Sequence, residues 1–586
     1  MRVGFAFIVT LFGLNIPFAE AQTYFLKNHT SVVSNAAGDS RSVNLVDIDN
    51  DRDLDLFVSN GKEGGENNFL YINDGKGNFT AVVNSPIVQD SEPSDGATWA
   101  DYDNDGDVDA YVVNWYNRTN MLYNNTFNGN SAAFSRVMDV PMGTDKAYSE
   151  TASWGDYDSD GDLDLYVTNS AGTKKNALYN NKGNGTFTKV TTGPMVTDAF
   201  VSRSVSWVDY DMDGDVDLFV TNEENQHENL YKNTNGNFEK ITTGPLVNNG
   251  GKTMSASWGD YDNDGLPDVF LANDGGNDAL FHNEGNGTFK KINDNVVTTA
   301  GGNSFGSQWA DINNDGWLDL YVTNSFWGDR WTNFLFINNG DGSFTRNTSD
   351  VSATETGWSY GCAFGDADRD GDLDLAVAKC YDAIENNALY LNQSSTNGNR
   401  WLVVSLEGVQ SNRSALGAKV WLKARIDNKE VTQYREITAQ SGYCGQNQLA
   451  AHFGLGRLDK IESLTIQWPS GIEQVFGTLS PDQYIYVKEG ESISATNEVP
   501  NLDVPKVIVT PNPFDDTINV AIQNLKTAKA EILLFDQNGK LVKNHQVKNQ
   551  ADHEKMMITT DSLTPGLYII TCKTGTYTFS QKLIKK

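Results

Sequence analysis

The sequence predicts an all-β chain: a seven-bladed β-propeller, then a β-rich module, then a small C-terminal β-sandwich. Three observations predict it. An acidic nine-residue motif recurs seven times between Asp47 and Asp374, its starts separated by 54, 55, 53, 51, 51 and 55 residues. Each interval carries about four short strands with Gly/Asn turns between them, the content of a propeller blade. Glycine is frequent, at 53 of 586 residues, and proline scarce at 14, which points to tight turns rather than Pro-rich linkers.

The chain opens with Arg2, an apolar run from Val3 to Phe18, and Ala19-Glu20-Ala21. That is the pattern of a secretory signal peptide over residues 1–21, cut after Ala21. Asn15 and Pro17 interrupt the run, which is shorter than the roughly 20 apolar residues a membrane span needs. No later segment is apolar enough to cross a bilayer, so export is expected. Asp and Glu number 77 against 44 Lys and Arg, a formal net charge of −33. This balance argues against nucleic acid or an anionic membrane as partner, since both require a basic face. It favours cations, or partners reached through cations. Four cysteines exclude a disulfide-dense scaffold, and six scattered histidines offer no histidine metal cluster.

Residues 22–396 hold the repeats. Two positions before each acidic motif stands a large apolar residue: Leu45, Trp99, Trp154, Trp207, Trp258, Trp309 or Phe364. Their regular placement makes them fillers of the blade core rather than a ligand-stacking platform. Each motif leads into a short apolar strand. A strand bearing an aromatic follows (Tyr71, Tyr123, Tyr179, Tyr231, Phe281, Phe336, Tyr390), then a Gly/Asn turn and a last strand led by Phe79, Phe134, Phe187, Phe238, Phe289 or Phe344. The seventh unit lacks its last strand. Tyr24-Phe25-Leu26-Lys27-Asn28 resembles the missing piece, so the N-terminal strand is expected to complete the last blade and close the ring, leaving no exposed edge.

The acidic motifs are candidate metal sites. In order they comprise Asp47, Asp49, Asp51, Asp53 and Asp55; Asp101, Asp103, Asp105, Asp107 and Asp109; Asp156, Asp158, Asp160, Asp162 and Asp164; Asp209, Asp211, Asp213, Asp215 and Asp217. The last three are Asp260, Asp262, Asp264, Leu266 and Asp268; Asp311, Asn313, Asp315, Trp317 and Asp319; and Asp366, Asp368, Asp370, Asp372 and Asp374. The spacing puts side-chain oxygens at positions 1, 3, 5 and 9, with the backbone carbonyl at position 7, where even Leu266 and Trp317 serve. Gly at position 6 permits the sharp turn. A donor set of oxygen alone selects a hard cation, and the high ligand number favours Ca²⁺ over Mg²⁺. The loops hold 32 of the 77 carboxylates, a repulsion that bound cations would relieve. Up to seven Ca²⁺ are expected, mostly as staples on each blade's first hairpin. Two loops depart from the pattern: Arg52 replaces Gly in the first, and Ile312, Asn313 and Trp317 intrude in the sixth. These loops lie between strands and lack the Glu at position 12 of an EF-hand. They resemble FG-GAP or VCBS-type repeats, as in integrin α-subunit propellers, over about residues 24–395, which implies a calcium-binding propeller.

Residues 397–488 break the repeat. Gly442-Tyr443-Cys444-Gly445, His452-Phe453-Gly454-Leu455-Gly456 and Trp468-Pro469-Ser470-Gly471 resemble the ASPIC/UnbV domain that follows such propellers in the cartilage acidic protein family. The resemblance implies a calcium-binding extracellular protein with matrix or carbohydrate associations. No nucleophile or carboxylate pair accompanies His452, so it reads as a structural histidine rather than a base. Residues 489–505 read as a linker. Residues 506–586 carry 11 Lys against 7 Asp and Glu, a net +4 in an otherwise acidic chain, and alternate like strands, with Asn538-Gly539 as a hairpin turn. Pro511-Asn512-Pro513-Phe514, Asp536-Gln537-Asn538-Gly539-Lys540 and Pro565-Gly566-Leu567-Tyr568 resemble the C-terminal sorting domain of the Bacteroidetes type IX secretion system. That implies passage across the outer membrane, to be secreted or held at its surface.

Cys362 and Cys380 flank the seventh motif nearly symmetrically. In a hairpin they would face each other, and an oxidising compartment would allow a disulfide. Cys444 and Cys572, in different modules, read as unpaired. No nucleophile motif, phosphate loop, HExxH or CxxC occurs. The leading expectation is a non-enzymatic calcium-binding protein that binds a surface glycan or an extracellular protein. A secreted carbohydrate lyase or hydrolase on the same scaffold, and a purely structural envelope component, are the alternatives. The aromatic loop from Ser325 through Phe326 and Trp327 to Trp331 suits either sugar stacking or packing against the second module.

Overall fold

The computed structural model describes residues 22–127, 132–183, 185–326, 330–380, 384–426, 429–458, 460–496, 506–510, 514–523, 529–536, 540–548, 554–574 and 577–586. The signal peptide 1–21, Trp327, linker residues 497–505, Pro511-Asn512-Pro513 and the Asn538-Gly539 turn lie outside the described residues. The described chain is all-β with repeats: strands throughout, and helical segments of at most four residues. Its described residues divide into two compact units, one of residues 22–126 and 132–495, the other of those from Thr496 onward with Phe127.

In the first unit each repeat is built on four antiparallel strands; Gly445–Gln446 adds a parallel fifth strand to the first repeat, and Asp268–Gly276 pairs with Gly302–Ala310 to join the fifth and sixth into one sheet. The third repeat is representative: Ser149–Gly155, Asp164–Asn169, Ala177–Asn181 and Phe187–Val190 pair in sequence order. Acidic loops join first strand to second, and the motif's last Asp is the first residue of the second strand in every repeat. The first strands adjoin in chain order, and that of the seventh repeat, Ser359–Gly365, adjoins that of the first, Ser40–Val46. This is a propeller-like closure. Phe25–Lys27 supplies the seventh repeat's missing strand, with Phe25 opposite Asn392 and Lys27 opposite Tyr390. Asp350 accepts the backbone N–H of Tyr24 at 2.7 Å and of Phe25 at 3.1 Å, and Lys27 pairs with Glu355 at 2.7 Å.

The repeated Trp is core, as expected: Trp99 and Trp154 are fully buried and Trp207 and Trp309 nearly so. They also join repeats. Trp154 stacks on Tyr102 of the preceding repeat (centroids 5.7 Å apart, 10° between planes), as Trp309 does on Tyr261 (6.0 Å, 12°). Trp258 is only half-buried.

The second module is built of two four-stranded sheets around one core. Arg400–Glu407 lies between Ala450–Gly456 and Tyr484–Lys488, and Lys419–Ile426 lies between Lys429–Glu436 and Ile461–Gln467. Leu402, Val404, Leu422, Phe453, Leu464 and Trp468 fill the space between them. From this module the Ala439–Gln446 segment threads the middle of the ring and meets every repeat. Val43 N–H donates to Cys444 O (3.1 Å), and Trp99 exchanges hydrogen bonds with the Gln446 amide (2.8 and 2.9 Å). Tyr443 takes its own N–H to Ser255 (2.8 Å) and its hydroxyl to Glu150 (2.6 Å), within reach of Tyr360 (2.9 Å) and Arg203 (3.4 Å). The motif's glycines follow from this crowding. A Cβ on Gly442 would stand 2.2 Å from Ser307 O, and one on Gly445 2.1 Å from Cys362 O. Burial alone would raise the Glu150 carboxyl, but Arg203 at 2.6 Å with the Ser170 and Tyr443 hydroxyls holds it below its usual range.

The second unit contains two sheets that share one core. Lys506–Thr510, Thr517–Gln523 and Glu554–Thr559 form the first; Lys529–Asp536, Leu541–Lys548, Gly566–Thr574 and Tyr577–Lys585 form the other. Phe514, Val520, Ile532, Leu534, Ile558 and Ile570 are buried between them.

The Cys362–Cys380 disulfide is not formed: all four cysteines are free and buried. The hairpin register excludes the pairing. Cys362 lies opposite Val377, and Cys380 donates its N–H to Trp358 O (3.0 Å), so the two thiols sit at different levels of the sheet. Phe326 packs with Phe305, Trp358 and Tyr360 around Tyr443 and Cys444, which makes this part of the aromatic loop a packing element for the second module.

Candidate metal centres

Each acidic loop is ordered by its own carboxylates. The position 1 carboxylate accepts the backbone N–H groups of positions 5 and 6, as Asp101 does from Asp105 (3.0 Å) and Gly106 (2.8 Å). The same pair recurs at Asp156, Asp209, Asp260, Asp311 and Asp366. Position 5 then accepts the N–H of position 7, as Asp105 does from Asp107 (2.9 Å) and Asp51 from Asp53 (3.0 Å). Position 6 needs a left-handed backbone: the glycines have φ between 90° and 103°, and Arg52 is forced to 75°. Its guanidinium lies 4.4 Å above the Tyr486 ring of the second module, a cation–π contact that offsets part of that strain.

Positions 1, 3 and 9 converge. Ligand oxygens of Asp101, Asp103 and Asp109 lie within 4.8 Å of one another, as do those of Asp156, Asp158 and Asp164 and of Asp209, Asp211 and Asp217. In the first loop the converging triad is Asp47, Asp49 and Asp51. The Oδ1 atoms of Asp103, Asp158, Asp211, Asp262 and Asp368, all at position 3, are buried without a hydrogen-bond partner. Such atoms are rare in folded proteins. Five at one structural position, aimed into a cluster of carboxylates, fit a hard divalent cation. In the sixth loop Asn313 replaces this Asp, and its Oδ1 accepts the Asp315 N–H at 2.9 Å. At position 7 the side chains turn outward: Asp107 and Asp372 accept from Asn50 (2.6 Å) and Asn314 (2.7 Å) of the preceding loops.

Burial governs the ionisation of these groups. It lifts the carboxyls of Asp47, Asp101 and Asp156 to about 7 and that of Asp366 to about 8, aided by neighbouring carboxylates. Two loops bring cations of their own. Lys232 places its ammonium on Asp211 and 2.9 Å from Asp213. His282 lies 3.3 Å from Asp262 and 3.2 Å from Asp268; its hydrogen bond to Asp268 raises it to about 9.

One recurrent residue escaped the sequence reading. Two positions after each repeat's third-strand aromatic stands an Asn: Asn73, Asn125, Asn181, Asn233, Asn283, Asn338 and Asn392. Its N–H donates to the position 9 carboxylate at 2.7–2.9 Å. Its side-chain NH₂ donates to position 2 of the preceding repeat's loop, again at 2.7–2.9 Å. Seven such links run round the ring without a gap, from Asn73 to Ala367 and from Asn392 to Ile312. The signal was a fixed Asn in all seven intervals.

The second module covers the acidic loops. Lys419 pairs with Asp209 (2.8 Å), the Arg413 guanidinium lies 3.7 Å from Asp101, and His452 Nε2 is 3.0 Å from Gly371 O. His452 is buried and pushed down to about 4, which suits the structural role. The sixth loop is the most enclosed: Asn397 and Asn399 both donate to Asn313 O (2.8 and 2.9 Å), and Gly456 N–H donates to Asn314 O (2.8 Å).

A closed set of β repeats, each with an acidic loop on its first hairpin, defines a propeller-like repeat protein with candidate cation sites. Matches to the FG-GAP-like repeat model cover residues 47–112, 101–167, 156–220, 209–271, 260–322 and 325–377, more than half of the chain, and the protein belongs to that repeat family. Residues 408–494 match the ASPIC and UnbV model and 509–586 the secretion system C-terminal sorting domain. Cartilage acidic protein 1 of Mus musculus is 24% identical over 496 residues, 67% of this chain and 74% of that protein. The Homo sapiens protein is 25% identical over 490 residues, 67% and 72% respectively. The Xenopus tropicalis protein is 26% identical over 318 residues, and the match spans 53% of this chain and only 40% of that relative's length. Among solved structures, the Aleuria aurantia lectin in complex with alpha-methyl-L-fucoside is 13% identical with a TM-score of 0.31, covering 57% of this chain and 100% of that one.

Proposed function

We propose that this is an exported calcium-binding protein that binds a surface glycan or an extracellular protein at or beyond the cell surface. On this reading residues 1–21 are its signal peptide, 22–396 a seven-bladed propeller, 397–488 the ASPIC/UnbV module, 489–505 a linker and 506–586 a β-sandwich handled by the type IX secretion machinery. Up to seven Ca²⁺ sit in the acidic loops, the first and sixth being the most divergent. The observation that carries the reading is the buried, partnerless Oδ1 at position 3 of five loops. Bound Ca²⁺ supplies positive charge to carboxylates that burial otherwise drives to protonate, and the loop backbone keeps them convergent. In the fourth loop Ca²⁺ competes with Lys232.

Affinity electrophoresis of the secreted protein through gels cast with different polysaccharides, with Ca²⁺ or with EDTA, tests this. Ca²⁺-dependent retardation with the polysaccharide intact supports the reading. Loss of polysaccharide staining along the track would replace it with a lyase or hydrolase. Equal mobility in every gel would remove glycans as partners.

A further inference from the structure

Two acidic loops each carry an arginine where their siblings do not, and the two arginines meet. Arg52 stands at position 6 of the first loop, where the other six loops have Gly, and Arg369 at position 4 of the seventh. Both line one recess of about 180 Å³ between these loops and the second module. Arg52 is exposed and Arg369 half-buried, so a solute reaches both. Packing does not account for the pair. Position 4 is Asn in four other loops, and that Asn donates to the position 6 carbonyl of the next loop, as Asn263 does to Gly316 O (2.9 Å) and Asn314 to Gly371 O (3.2 Å). Arg369 makes the same link to Arg52 O. An amide suffices for that link, so the guanidinium's other donors are surplus to it.

The lining chooses among partners. Each guanidinium is held 4.4 Å over a tyrosine ring of the module, Arg52 on Tyr486 and Arg369 on Tyr484. Neither forms an ion pair among the described residues, in a chain whose formal net charge is −33. Two like charges side by side repel, and an anion placed on both relieves them. Asp47 and Asp366 also line the recess. They are position 1 carboxylates spent on their own loops: Asp47 accepts Arg52 N–H (3.0 Å), and Asp366 accepts those of Asp370 and Gly371 (3.1 and 2.9 Å). In Ca²⁺ their charge is matched within the loops, which leaves the guanidiniums as the uncompensated charge. A planar guanidinium fits the paired oxygens of a carboxylate or sulfate, and its stacking on a ring fixes it in advance. Leu54 and Val403 belong to the walls, so an anion carried on a ring with apolar C–H faces fits better than a free ion. One water needs about 10–15 Å³ by this measure of volume, so the recess holds on the order of a dozen, room for one substituted sugar ring.

We propose that this recess binds an acidic sugar residue, its carboxylate or sulfate on Arg52 and Arg369. The proposal rests on the glycan-binding reading above and gives that glycan its charge. Calorimetry on the secreted protein in Ca²⁺ tests it, with methyl β-glucuronide, glucose 6-sulfate and the neutral methyl β-glucoside. At least one of the two acidic sugars should bind saturably, and less tightly as NaCl is raised; which one binds tells carboxylate from sulfate. The neutral glucoside should not bind. Arg52→Gly and Arg369→Asn each restore the residue of the sibling loops, and thermal melts check that both fold. Each should weaken binding roughly tenfold. Titration of the unaltered protein decides the matter even if neither variant folds: no binding of either acidic sugar, or equal binding of the neutral one, overturns the proposal. Unaltered affinity in both variants overturns it as well. A hexaglutamate peptide that binds as tightly as the sugars would replace it with an acidic protein partner. In the first three cases retardation in a polysaccharide gel would leave the glycan reading intact. Acidic-sugar binding that both variants lose, in a protein that no polysaccharide gel retards, would uphold the recess and sink the adhesion reading.

Discussion

Replacing Glu228 by Gln should stabilise the protein at neutral pH and leave it unchanged near pH 4. In five repeats a buried Asn accepts the N–H of the last residue of the second strand, as Asn120 does from Asn114 (2.8 Å) and Asn176 from Asn169 (2.9 Å). The same Asn donates to a Ser hydroxyl of the next repeat in four of them, as Asn176 does to Ser202 (3.0 Å). The fourth repeat has Glu228 instead, accepting from Asn222 N–H (2.8 Å) and the Thr253 hydroxyl (2.6 Å). Burial raises this carboxyl to about 8 from an ordinary 4.5, and the two hydrogen bonds only partly oppose it. A raised carboxyl pKa means that the folded state holds the proton more tightly, so stability falls as pH rises from 4.5 to 8 and is level beyond. At 1.36 kcal/mol per pH unit the loss is about 3 kcal/mol at pH 7 and about 5 kcal/mol at pH 9. These are ceilings, because local relaxation around a buried charge lowers the cost. Gln keeps the acceptor for Asn222 and donates to Thr253 as Asn176 does to Ser202. With unfolding entropy near 2.1 cal/mol/K per residue, a unit of this size gains roughly 1 °C in Tm per kcal/mol. The assay is thermal unfolding in saturating Ca²⁺ at pH 4.5, 7 and 8.5. The expected gaps are near zero, about 3 °C and up to about 5 °C. A gap independent of pH, or a variant less stable at pH 8.5, would refute the reasoning.

Three further outcomes are expected. EDTA should lower the melting temperature of the first unit, each occupied site being worth about 2.7 kcal/mol at 100 times its dissociation constant; metal analysis of Lys232→Ala should find Ca²⁺ in the fourth loop held more tightly than in the unaltered protein. Asn181→Ala removes donors from Tyr102 O (2.9 Å) and Leu163 O (3.1 Å), leaving two buried acceptors unpaired. It should cost about 2–4 kcal/mol and speed amide exchange at the junction of the second and third repeats, with other junctions unaffected. Gly445→Ala would place a Cβ 2.1 Å from Cys362 O. Limited proteolysis should then cut between the repeats and the second module while the repeats stay resistant; equal resistance of the module would remove the account of Ala439–Gln446 as a central plug.

The period of the acidic motifs made the repeats, the loop positions and the N-terminal strand's partner legible, because each depends on spacing along the chain. Position 9 shows where that reading stops. Asp55, Asp109 and their counterparts read as cation ligands equal to the others, yet they also hold the next strand through an Asn 15 to 19 residues later. The Gly442-Tyr443-Cys444-Gly445 motif carried a family resemblance and no mechanism, because its glycines are explained only by oxygen atoms about 80–135 residues away in sequence. The cysteine pair failed for a related reason: symmetry about the acidic motif is not the symmetry of the hairpin, which pairs Gly365 with Asp374 and so sets Cys362 opposite Val377.

The divergent loops acquire their reason from the elements packed against them. Ile312 is fully buried with Phe25, Leu335 and Leu375, so it belongs to the junction of the sixth and seventh repeats rather than to a failed ligand set. Trp317 lies against the Gly340 turn of its own repeat. Gly316 packs so tightly beneath Ile426 that a Cβ would meet it at 2.3 Å, and Trp401 sits over Gly371 more closely still. Where the first loop gives up its Gly, Arg52 reaches Tyr486 of the module. Basic residues of the module also face position 1 carboxylates, as Lys419 does Asp209 and Arg413 does Asp101. These contacts form one electrostatic system. A cation bound to positions 1, 3 and 9 would share its carboxylates with the module's Lys and Arg side chains, so cation occupancy and module docking act on the same charges. Departures from the consensus at loops one and six are therefore sites where packing against neighbouring elements took precedence over ligation.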